Sequence, residues 1–66
     1  MQLQIVTGTG VSIYRQVVDQ ITRLIELGEL PAGEELPAIR MLAERVRVNP
    51  NTIARAYMEL ERAGRV

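Results

Sequence analysis

The chain has 66 residues, with eight acidic side chains balanced by eight basic ones and no histidine, cysteine, tryptophan or phenylalanine. That length allows a single small domain, one that buries only about 60% of the surface its unfolded chain exposes. Without cysteine there is no disulfide framework or thiol nucleophile, without histidine the usual general base and commonest metal ligand are missing, and apolar runs of at most three residues exclude a bilayer span.

Residues 1–11 open with a short alternation of Leu3, Ile5 and Val6, then loosen into Thr7-Gly8-Thr9-Gly10. This reads as a brief strand or extended arm followed by a turn. It is no phosphate loop, because no lysine follows the glycines. No charge precedes Arg15, so the basic start of a secretory signal is absent as well, and a soluble, cytoplasmic domain is expected.

The first helix is expected over about 12–27. Ser12 is placed to cap it, and Ile13, Val17, Ile21, Leu24 and Ile25, with Val18 flanking, follow the 3.6-residue period of a buried face. Arg15, Asp19, Gln20, Arg23 and Glu26 take the opposite side, where Asp19 and Arg23 stand in the i,i+4 relation of an ion pair. Gly28 suits the left-handed residue that ends a helix.

Two prolines and Gly33 interrupt the stretch from Glu29 to Pro37, and Leu30 and Leu36 are expected to pin this connector to the core. A second helix follows over about 38–45, with Pro37 or Ala38 at its start and Ile39, Leu42, Ala43 and Val46 facing inward. The third helix, over about 50–63, carries the clearest start signal: Asn49 at the cap and Pro50 at the first helical position, where the missing amide hydrogen has no cost. Ile53, Ala56, Tyr57 and Leu60 form its apolar stripe, and Ala63-Gly64 ends it. Only Val46 to Val48 separate the last two helices, the spacing of a helix-turn-helix.

Neutral overall charge conceals a gradient. Residues 1–37 carry a net −3 and residues 38–57 a net +3, the latter from Arg40, Arg45, Arg47 and Arg55 against Glu44 alone. Every cation is arginine, whose planar fork matches phosphates and guanine edges. With the third helix's stripe turned inward, Asn51, Thr52 and Arg55 face outward near its N-terminal end, with Arg47 just before it. That is the part of a helix-turn-helix that meets base edges in the major groove of double-stranded DNA. Asparagine bonds adenine, arginine bonds guanine, and the threonine methyl touches that of thymine. Arg40, near the start of the second helix, is placed to reach the backbone or an adjacent base. Plainer uses compete: Arg55 with Glu59 and Arg40 with Glu44 also have ion-pair spacing. Met41 and Met58 read as packing or interface residues.

The alternative is a small helical module that docks on another protein without binding DNA. Catalysis is the weakest reading, since Glu34 and Glu35 adjoin in a turn without a partner base or metal ligands. No cofactor is expected.

Taken together, Ile13-Tyr14-Arg15-Gln16-Val17-Val18, the run from Gly28 to Pro37, Arg40-Met41-Leu42-Ala43 and the run from Val48 to Tyr57, with Leu60-Glu61 and Gly64, resemble the DNA-binding domain of the GntR family of bacterial transcriptional regulators. Asn49-Pro50-Asn51-Thr52 and Ala54-Arg55-Ala56-Tyr57 are most similar to its YtrA-like branch. The resemblance implies a mainly α, winged helix-turn-helix fold, a homodimer on a two-fold-related operator, and repression that an effector relieves. It implies that Arg40 contacts phosphate or base, that Asn51 and Thr52 head the recognition helix, and that Arg55 makes a contact one turn further on. Ala38 stands where many relatives have a serine cap, a difference of ~1 kcal/mol. Other branches carry arginine where Pro50 and Ala54 stand, so their base-reading scheme does not transfer. The wing strands of the family are expected to follow Val66.

Overall fold

The computed structural model describes residues 1–30 and 36–65, which form three helices and, among those residues, no strand. Helix α1 spans Ile13–Glu26, α2 Ile39–Val46 and α3 Pro50–Arg62. Helix α3 is the centre, with both α1 and α2 packed against it. Val17, Val18 and Ile21 of α1, Leu42 and Ala43 of α2 and Ile53, Ala56 and Leu60 of α3 belong to one buried cluster, which Val48 of the intervening turn joins. No helix of the described residues is long and apolar enough to cross a membrane.

The caps explain the helix ends. The Ser12 hydroxyl accepts from the Arg15 amide at 3.1 Å, and Gly28, at φ 77°, reverses the chain after α1. Helix α2 starts at Ile39, later than expected: Pro37 precedes the helix, and Ala38 at the cap offers no side-chain acceptor. Ile39, expected to face inward, is exposed, because it occupies the first turn of a short helix whose helix–helix packing, among the described residues, is against α3. Leu30 and Leu36 pack against the core. The turn expected at Pro31 and Gly33 lies outside the described residues.

Two expectations for α1 are corrected. Asp19 pairs with Arg15 at 3.2 Å, not with Arg23. Gln20 does not sit on a purely solvent-facing side: it is half-buried, and its amide nitrogen donates to the Gln4 carbonyl at 2.7 Å. Gln16 beside it is buried and likewise bonds the N-terminal arm. The arm is extended without pairing as a strand, because these side-chain amides take the place of a neighbouring strand while Met1, Leu3 and Ile5 pack on the core.

Candidate nucleic-acid interface

The local chain between α2 and α3 sets the direction of α3. Arg47 adopts the left-handed conformation at φ 58°, ψ 48°, its amide donating to the Ala43 carbonyl. The next residue, Val48, donates to the same carbonyl at 2.9 Å and drops into the core. Asn49 then caps α3, its Oδ1 accepting from the Asn51 amide at 2.8 Å. One positive φ, one buried valine and one capped amide thus turn the chain within three residues (Arg47, Val48 and Asn49), and no glycine is used.

With Ile53, Ala56 and Leu60 buried, the opposite stripe of α3 is left to solvent: Asn51, Arg55, Met58 and Arg62, at helical i, i+4, i+7 and i+11 spacing, are all exposed. Asn51 and Arg55 therefore share a face, and Thr52 lies half-buried on its flank. Arg47 is exposed in the turn before α3, and Arg40 is exposed on the first turn of α2. Tyr57, at the edge of the buried stripe, is half-buried and donates from its hydroxyl to the Pro37 carbonyl at 2.7 Å. It ties the start of α2 to α3 and is turned away from the exposed stripe. Burial pushes its phenol above its ordinary value of 10.0.

The competing ion pairs do not form. Glu59 accepts from Arg62 at 2.7 Å, and neither Arg55–Glu59 nor Arg40–Glu44 is a salt bridge. Arg55 instead lies over the ring of Tyr14, with its guanidinium carbon 4.8 Å from the ring centroid. That contact joins the first turn of α1 to the outer face of α3. Sequence reasoning missed it because Tyr14 falls between the apolar and polar faces of α1, and no local spacing links it to α3. Beside it lies an open groove of about 600 Å³ lined by Tyr14, Arg55, Met58, Glu59, Glu61 and Arg62.

Residues 13–66 match the family of bacterial regulatory proteins, gntR family. The chain is 40% identical over 62 residues to the HTH-type transcriptional repressor YtrA of Bacillus subtilis (strain 168), covering 94% of this chain and 48% of that protein. It is 48% identical over 52 residues to the uncharacterized HTH-type transcriptional regulator YhcF of the same organism, covering 79% of this chain and 43% of that protein. Among solved structures, YtrA from Sulfolobus acidocaldarius, a GntR-family transcription factor, superposes with a TM-score of 0.88 at 42% identity, covering 94% of this chain and 66% of that one. The chain spans about half the length of the curated relatives it matches. Both of these curated relatives carry the name of a transcriptional regulator or repressor.

Proposed function

Because the chain belongs to the GntR family of bacterial regulatory proteins, we propose that it is a sequence-specific DNA-binding module of a transcriptional repressor acting in the cytoplasm. The observation that carries this reading is the division of α3 into two faces. Its apolar stripe is spent on the core, while Asn51 and Arg55 remain exposed along one line, with Arg47 exposed at the entrance to the helix. Helix α3 enters the major groove, Asn51 and Thr52 meet base edges near its N-terminal end, and Arg55 meets a guanine or a phosphate one turn further on. Arg40 and Arg47 neutralise backbone phosphates. Since arginine donates through a planar fork, the all-arginine cation set fits these acceptors better than point charges would.

As in other helix-turn-helix dimers, two copies bind a two-fold-related operator with half-sites about one helical turn apart. Fluorescence anisotropy with mixed-sequence DNA duplexes, repeated across salt concentrations, tests the reading. Binding that weakens linearly with the logarithm of salt is expected. Binding that is absent at low salt would leave the protein-docking alternative as the better account.

A further inference from the structure

Tyr14 lies outside the helix-turn-helix, yet it holds one of that unit's outward cations. Its ring is half-buried and packs against the core, so its position is set by α1. The Arg55 guanidinium stacks over it at 4.8 Å. Arg15 approaches the same ring at 5.8 Å but is tied to Asp19 at 3.2 Å, which leaves Arg55 as the cation the ring governs. Arg55 has no ion-pair partner among the described residues, since Glu59 is occupied by Arg62.

A guanidinium is a flat ion whose N–H donors all lie in its plane. An aromatic ring beneath it engages the face and leaves the donor edge open. An arginine on a bare helix surface gives up much of its rotamer freedom when it binds, whereas one already stacked has lost part of that freedom beforehand.

We propose that Tyr14 is a positioning residue for DNA recognition, holding the Arg55 guanidinium on the exposed face of α3 so that its in-plane donors are presented to the duplex. The proposal rests on the DNA-binding reading above. It makes α1, by sequence a core-building helix, a contributor to the interface.

A double-mutant cycle tests it: Tyr14→Leu and Arg55→Ala, singly and together, with Tyr14→Phe as the variant that keeps the ring. Binding is read by anisotropy on a labelled pool of mixed-sequence DNA duplexes, and the stack is read in the free protein from the NMR shifts of the Arg55 side-chain methylenes. Tyr14→Leu is expected to weaken binding about two- to five-fold, Tyr14→Phe to match wild type, and Tyr14→Leu to add nothing in the Arg55→Ala background. The upfield ring-current shift of Arg55 is expected in wild type and Tyr14→Phe and lost in Tyr14→Leu. Should Tyr14→Leu fail to fold, Tyr14→Met serves the same arm. Equal weakening by Tyr14→Leu with and without Arg55 overturns the proposal, as does unchanged binding after the ring-current shift is lost. Unshifted Arg55 resonances in wild type overturn it without any substitution. A wild-type protein that binds no duplex while its Arg55 shift is intact overturns the DNA reading itself, and the positioning role falls with it.

Discussion

The side-chain amide of Gln16 pairs with the backbone of Val6 as an adjacent strand would, donating to its carbonyl at 2.7 Å and accepting from its amide at 2.9 Å. Gln20 does the same for Gln4, at 2.7 and 2.8 Å. The two pairs are in register because four residues of helix rise about 6 Å and two residues of extended chain about 6.5 Å. A helix edge thereby satisfies an extended arm that, among the described residues, has no strand beside it.

Gln16→Ala should release that arm. Gln16 also donates to the Val11 carbonyl at 3.0 Å, so three bonds are lost together. Water recovers part of the loss, and a net cost of about 2 kcal/mol is expected. In a domain of this size that lowers the melting temperature by roughly 10 °C. Amide exchange should show Val6 unprotected while the Ile53 amide stays slow. A melt that is unchanged, or a Val6 amide that remains protected, would count against the clamp.

Arg47 holds a left-handed backbone that only glycine adopts without cost. Arg47→Gly is expected to raise stability by about 0.5–1 kcal/mol, the relief of strain exceeding the added freedom of the unfolded chain. Arg47→Ala keeps the strain and should melt near wild type. Both remove a charge from the proposed interface, and each should reduce the salt slope of DNA binding by about 0.9. Denaturant titration together with a salt series separates the two effects.

The cap of α3 is a single asparagine. Asn49→Ala should cost about 1 kcal/mol, and Asn49→Asp should be close to neutral, because either an amide or a carboxylate oxygen can accept from the Asn51 amide. Chemical denaturation of the three proteins distinguishes the cap from a mere turn residue, for which the alanine variant would match wild type.

Tyr57 makes a pH-dependent contribution. Burial raises its folded pKa above the ordinary 10.0, so the folded state favours the neutral phenol that donates to Pro37. The stabilisation is complete below the unfolded value and is lost as pH rises through the folded one. Tyr57→Phe should therefore cost about 1 kcal/mol at neutral pH, and it should flatten the decline in stability above pH 10. Melting temperatures from pH 7 to 11 supply the comparison; parallel curves for the two proteins would refute the assignment.

Arg40 and Asn51 should differ in kind. Arg40→Ala is expected to weaken binding to all sequences and to lower the salt slope by about 0.9. Asn51→Ala should leave the slope nearly unchanged and relax preference at one base pair, worth about 1–3 kcal/mol. Selection from randomised duplexes, run beside a salt titration, reads both quantities. An unchanged slope for Arg40→Ala would remove it from the interface.

What could be read from residue order was local. Ser12 and Asn49 announce helix starts through bonds reaching only three and two residues ahead, Pro50 through its fixed φ at the first helical position, and the stripe of Ile53, Ala56 and Leu60 needs only helical periodicity to find the core. The outward placement of Asn51 and Arg55 follows from that stripe by elimination. Ile39 has the spacing of a core residue, yet α2 is too short to bury its first turn.

The remaining features depend on which elements meet. Three amphipathic helices, the caps of α1 and α3 and the tight connector that makes the last two a helix-turn-helix are legible in residue order, because each is decided within a turn or two of chain. That Gln16 and Gln20 bond the arm, that Arg55 stacks on Tyr14 in place of pairing with Glu59, and that Arg47 carries the left-handed turn follows from the folded packing alone. Side chains with several available partners choose among them by proximity in space, and the packing of α1 on α3 brings Tyr14 to Arg55 across most of the chain's length.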